Sequence, residues 1–280
     1  MPATPTTICR YIAHLARTKA FSTIQQYISV IRLIHLEVGL PHPFKDSFQV
    51  TSLMKGVRRV KPGQKYKDTL SLSQIKAMRS HLDLSDLEDL QIWVMIVTCF
   101  FALLRISAVT VPNVTDFDHN KTLTRGDITF LPNGLVLKIK HSKTNQYGDR
   151  VFEATLPRIP DITLCPASAA MLYLAVSSPL PDTTPALSYK QKGQLYHLTP
   201  NKARKRLQSL IQAIGLDEKE YGTHSLRRSG ATYLLSQGVP LETIKVVGDW
   251  SPNSNCVYKY LRPSGQTKLD SLCNNSYYQS

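Results

Sequence analysis

The chain has 280 residues, 42% of them apolar, with a formal net charge of +14 and a pI near 9.6. A chain this long and apolar can bury a sizeable core, which excludes a disordered polymer. Its most apolar run, IWVMIVTCFFALL at residues 92–104, falls short of the ~20 residues that span a bilayer and reads as a buried core helix. The cationic surplus points to an anionic partner, nucleic acid before an acidic membrane surface, with a merely soluble basic protein as the alternative.

Residues 1–67 carry 11 Lys and Arg against two acids, Glu37 and Asp46, which is +9 of the total. A module that grips a phosphate backbone has this composition. Residues 7–18 and 48–60 read as short helices. Between them, residues 22–40 place Ile24, Tyr27, Ile28, Ile31, Leu33 and Ile34 at helical spacing, from a Ser22 or Thr23 cap to the breakers Gly39 and Pro41. This gives an all-helical module over residues 1–60, short and abrupt enough to suggest a further helix ahead of it. Pro62 and Gly63 mark a linker over 61–69. The basic cluster there and just before it, with Arg58, Arg59, Lys61, Lys65 and Lys67, fits a DNA-tracking or nuclear-localisation segment, or a solvated linker.

Residues 70–84 and 86–104 are expected to be helices, the second delivering Arg105. The period then changes: DITFLPNGLVLKIK (residues 127–140) has a Pro-Asn-Gly turn between alternating apolar runs, hence a β-hairpin over 126–140, with VFEATL (151–156) as a third strand. Lys143 falls in the turn between the second and third strands. A helix over 165–177, a polar loop to about 199 and a basic amphipathic helix over 201–215 follow. Helices over 224–237 and 240–248, a short final helix over 253–262 and a polar tail over 264–280 complete the chain. The fold class is mainly α with a small antiparallel β-sheet.

Five cysteines, odd in number and without a C-x-x-C pair, suggest neither a zinc site nor a disulfide framework. The first residues lack the apolar core of a secretory signal. An intracellular compartment is expected, and with the basic cluster the nucleus.

The chemistry sits in one ordered set. Arg105 follows a wholly apolar run, and burying its guanidinium without a partner is costly. It reads either as an anion contact at a pocket mouth or as a core arginine paired to a structural carboxylate. His224 and Arg227 lie three apart near a helix N-terminus, where backbone N–H groups favour phosphate. Trp250, Tyr258 and Tyr260 follow. Each residue alone has an ordinary packing or solvation reading. Together they supply what a tyrosine needs to cut DNA. Two arginine forks neutralise the phosphate, a lysine or ring N–H moves protons, and a phenol acts as covalent nucleophile.

In this order and spacing the chain resembles a tyrosine recombinase/integrase across nearly its whole length. The Trp variant and the segment KYLRP are most similar to recombinases of eukaryotic mobile elements, such as tyrosine-recombinase retrotransposons and Cryptons. The resemblance implies a helical core-binding domain at 1–60 and a catalytic domain at 70–263. It implies Arg105 and Arg227 as catalytic arginines, Lys143 as general acid, His224 as partner of Arg227, Trp250 at the His/Trp position and a tyrosine eight to ten residues beyond as nucleophile. Lys259-Tyr260-Leu261-Arg262 favours Tyr260 over Tyr258. Double-stranded DNA is the implied partner, bound by a homo-tetramer on two duplexes, with no cofactor, no metal and no membrane. Arg58, Arg59, Lys61, Lys65, Lys67, Arg204, Lys205 and Arg228 are the expected DNA contacts. In two respects the chain departs from the family: Ala108 stands where the family usually has an acid, and Tyr258 and Tyr260 fall eight and ten residues after Trp250, where nine is common. A type IB topoisomerase and a decayed, DNA-binding remnant are the alternatives.

Overall fold

The computed structural model describes residues 2–61, 67–112, 117–142, 145, 150–177 and 179–261. The chain divides into two compact units, Met1–Tyr66 and Lys67–Ser280.

The first unit is built from α1 (Pro5–Leu15), α2 (Phe21–Glu37) and α3 (Phe48–Val60). Thr4 caps α1, its hydroxyl accepting from Thr7 N–H at 3.2 Å, with Pro5 at the first helical position. Ser47 caps α3. Ile8, Ile12 and Leu15 of α1 meet Ile24 and Ile28 of α2 and Val50 and Val57 of α3 in a small core. Buried His35 ties the chain start to α2. Its Nδ1 lies 2.8 Å from the Ile31 carbonyl oxygen, and its Nε2 accepts from Ala3 N–H at 2.9 Å. The apolar face expected of α2 is only partly internal. Ile24 and Ile28 are buried, but Tyr27, Leu33 and Ile34 are exposed, because α1 and α3 cover a single row of a helix that carries more than one.

In the second unit the apolar run forms α5 (Leu87–Phe101), started by an Asp86 cap and buried continuously from Leu90 to Phe100. A helix apolar all round must be covered all round. Here α6 (Pro166–Val176), α7 (Pro200–Ala213) and α8 (Thr223–Ser236) pack against it. The glycine at position 230 of α8 is required: a Cβ there would sit 1.9 Å from the Phe100 carbonyl oxygen and 2.6 Å from Leu103 Cδ2. α4 (Leu72–Arg79) carries a full Ser71/Gln74 capping box.

β1 (Ile128–Leu131), β2 (Gly134–Ile139) and β3 (Phe152–Pro157) form an antiparallel sheet in that order, with Leu137 opposite Ile128 on one side and Ala154 on the other. The expected fold class, mainly α with a small antiparallel sheet, is the one observed. The expected polar loop before residue 199 is corrected in part. It contains a second hairpin, β4 (Ser188–Gln191) and β5 (Gln194–His197), closed by Lys192-Gly193, both at positive φ. Stacking of Tyr189 on Tyr196 across the pair, at 5.3 Å, stabilises strands too short to show a period. The final helix is also corrected: it is a 3-10 turn, Asn255–Lys259, following α9 (Leu241–Val247). A separate apolar cluster of Leu103, Ala231, Ile244, Trp250 and Val257 seats this C-terminal segment. No helix among the described residues is long and apolar enough to cross a membrane.

Candidate active site

α5 ends at Phe101, short of Arg105. Fully buried Leu103 then adopts φ +50°, an uncommon conformation for a bulky residue. That turn sends the chain to Arg105, the residue just before a 3-10 turn at Ile106–Ala108. Arg105 lines a cavity of about 250 Å³ together with Arg227, His141, Ser142, Ala108 and Asp249.

Arg227, on α8, is 3% exposed. Its Nη2 donates to the Gly248 carbonyl at 2.5 Å. Its guanidinium lies 4.1 Å from the Trp250 ring centre and 5.4 Å from that of Tyr260, and the two rings are 5.2 Å apart. The Gly248-Asp249-Trp250 sequence makes this enclosure. A Cβ at residue 248 would fall 1.9 Å from Trp250 Cζ3, so glycine is what lets the indole fold back. Burial, and secondarily the charge of Arg105, push the Arg227 pKa down from its usual 12.5 to about 10, against weaker opposing effects of Tyr260 and Asp249. Among the described residues neither Arg105 nor Arg227 has a carboxylate within 4.0 Å. The Arg227 Nε has no hydrogen-bond partner there. Two close cations, one deeply desolvated, facing one cavity form a site for an anion with charge on several oxygens. Among the described residues Arg105 has no carboxylate of the kind its paired-carboxylate reading requires.

Trp250 is buried and Tyr260 half-buried beside Arg227, whereas Tyr258 is 57% exposed. His224 stands in the first turn of α8, exposed, and is not among the residues lining the cavity. Lys143 lies outside the described residues, as do Lys65 and the 264–280 tail; the neighbouring His141 and Ser142 line the cavity. His141, Ser142 and Asp249 were not among the residues expected from sequence. The first two were legible as near neighbours of Lys143. Asp249 had no signal beyond adjacency to Trp250.

Of the expected DNA contacts, Arg58, Arg59, Lys67, Arg204 and Lys205 are exposed and Lys61 is half-buried. Arg228 is 4% exposed, and its Nη1 donates to the Lys67 carbonyl at 2.5 Å, a contact at the start of the second unit. On α7 Lys202 pairs with Glu88 at 2.8 Å and Arg206 with Asp89 at 2.6 Å, so that face is partly neutralised.

No family model matches the chain. It is 25% identical over 250 residues to an integrase/recombinase xerD homolog of Selenomonas ruminantium, covering 87% of this chain and 69% of that protein. It is 31% identical over 124 residues to recombinase Cre of Escherichia phage P1, covering 42% of this chain and 36% of that one. Its fold matches XerH site-specific recombinase, solved bound to palindromic difH substrate as a post-cleavage complex. The TM-score is 0.63 at 16% identity, over 97% of this chain and 70% of XerH. Sequence similarity over most of the chain and a common fold over nearly all of it converge: this chain is similar to tyrosine recombinases/integrases and shares their fold.

Proposed function

We propose that this chain is a site-specific recombinase whose nucleophile is Tyr260. The Tyr260 oxygen attacks a DNA phosphorus while the bond to the 5′ oxygen breaks, leaving a 3′-phosphotyrosyl link and a free 5′-hydroxyl. The phenol proton leaves to solvent or an imidazole at the pocket, and Lys143 delivers one to the departing oxygen. Arg105 and Arg227 clamp the nonbridging oxygens as their charge grows. Trp250 packs the pocket, and His224 completes it once DNA is bound. The energy of the broken ester is retained in the phosphotyrosine, so rejoining requires neither nucleotide nor metal. The observation that carries this reading is the pair of arginines facing one cavity without a carboxylate partner among the described residues, one of them stacked beside Tyr260.

In the same proposal residues 1–60 are the DNA-gripping module, residues 70–263 are the catalytic domain, and Arg58, Arg59, Lys61, Lys65, Lys67, Arg204 and Lys205 are backbone contacts. Four protomers act on two duplexes. Movement of a mobile element is the setting, in keeping with a relative from a phage and with the resemblance to eukaryotic elements. A nuclear address rests on the basic segment of residues 55–67. The exposed position of His224 and the alanine at 108 favour a second reading, a DNA-binding remnant without cleavage.

Covalent trapping separates the two. Protein is mixed with a nicked duplex pool in EDTA and denatured in SDS, and the linked residue is mapped by mass spectrometry. An adduct on Tyr260, lost in Tyr260→Phe, supports the proposal. An adduct on Tyr258 overturns the choice of nucleophile. Salt-sensitive binding with no adduct establishes the remnant.

A further inference from the structure

We propose that Asp249 is the carboxylate of this active site, a positioning residue acting from the Gly248–Trp250 turn in place of the acid that position 108 lacks. The inference rests on the strand-transfer reading above. Among the described residues lining the cavity Asp249 carries the only carboxylate, and Ala108 lines the same cavity. The site holds the guanidiniums of Arg105 and Arg227 on its walls, and their charges act on one another. Like charges held this close repel, and the repulsion grows as water is excluded. A carboxylate in the wall offsets that repulsion and keeps both guanidiniums turned to the cavity before DNA arrives.

Its placement suits the task. Among the described residues no ion pair joins Asp249 to either arginine, so it does not compete with a phosphate for their donors. Its ion pair is made instead to Arg150, which is 56% exposed, while the Asp249 side chain is 11% exposed. The turn is held firmly. The Asp249 backbone sits at φ +54°, and the preceding Gly248 carbonyl accepts from Arg227 itself. Aspartate and asparagine enter that region more readily than other non-glycine residues, so the turn holds a carboxylate here without distortion. A surface ion pair alone does not require the position on the cavity wall.

The test uses the full chain and the DNA site recovered by adduct trapping, as a nicked duplex that captures one turnover. Cleavage rate and DNA affinity are measured for wild type, Asp249→Asn, Arg150→Gln and the double variant Ala108→Asp/Asp249→Asn. Asparagine matches the aspartate in shape and tolerates positive φ, so the turn is preserved. We expect Asp249→Asn to slow cleavage about tenfold or more with affinity changed less than about threefold, as for loss of an orienting partner. The double variant should recover most of the rate, because residue 108 faces the same cavity, and Arg150→Gln should stay near wild type. Wild-type cleavage by Asp249→Asn overturns the inference. So does a loss reproduced by Arg150→Gln and not rescued at 108, which would make Asp249 only the anchor of Arg150. A wild-type chain that forms no adduct defeats the strand-transfer reading itself and takes the inference with it, and the wild-type lane separates that failure from failure of Asp249 alone.

Discussion

Replacing Arg227 with methionine should abolish strand cleavage while leaving the unliganded fold about as stable as before. The usual expectation for a buried arginine is the opposite, since breaking a buried ion pair costs about 3–5 kcal/mol. Here no such pair exists among the described residues. The pKa depressed from 12.5 to about 10 corresponds to a penalty of roughly 3 kcal/mol for holding the charge in the folded state. For a base whose folded pKa is lowered, that penalty is present in full below about pH 10 and is relieved only as pH rises toward 12.5. Against it stand the hydrogen bond to the Gly248 carbonyl, about 1.5–3 kcal/mol for a charged donor, and the stacking on Trp250, about 0.5–2 kcal/mol. The sum is near zero. Methionine fills the volume beside Trp250 without the charge, so urea or thermal unfolding should give a change within about 1 kcal/mol. Cleavage should fall by about a hundredfold or more, as when a transition-state donor is lost. The wild type should gain more stability from added DNA than the variant does. A loss of about 3 kcal/mol or more without DNA would refute the argument by making Arg227 a structural ion.

Three further outcomes follow from the packing. Gly230→Ala gains about 1 kcal/mol of helix propensity but places a Cβ 1.9 Å from the Phe100 carbonyl oxygen. A net loss of about 2 kcal/mol or more is expected in chemical denaturation, because α5 and α8 must separate. Gly248→Ala should displace the indole of Trp250, whose Cζ3 would lie 1.9 Å from the new Cβ; a shifted Trp emission with secondary structure retained by circular dichroism is the expected signature, and an unchanged spectrum counts against the turn as described. Cys99 is fully buried, and burial pushes its thiol up to about 12. Iodoacetamide at pH 8 should therefore label exposed Cys256 and spare Cys99 until the protein unfolds.

Much of this protein is written along the chain. Residues 92–101 form an apolar run on every side, and only a central helix covered by others can satisfy such a segment, which is what α5 is. The Pro-Asn-Gly turn and alternating residues around it specify the β1–β2 hairpin by local geometry. Arg105, Arg227, Trp250 and Tyr260 were legible as a set because their side-chain chemistries are unusual in combination. Tertiary structure decided what depends on distance between remote segments. The β4–β5 hairpin has four-residue strands with no readable alternation, and it is held by a tyrosine stack formed only after folding. Arg227 and Arg228 are adjacent and identical in type, yet the helix turns one toward Trp250 and the other toward the Lys67 carbonyl. The pattern of α2 does not say which of its apolar rows would be covered, because that depends on how many helices pack against it. Asp249 became a member of the site only when the Gly248–Trp250 turn brought it to the wall shared with Ala108, for electrostatic partners are chosen by proximity in space and leave no period in the sequence.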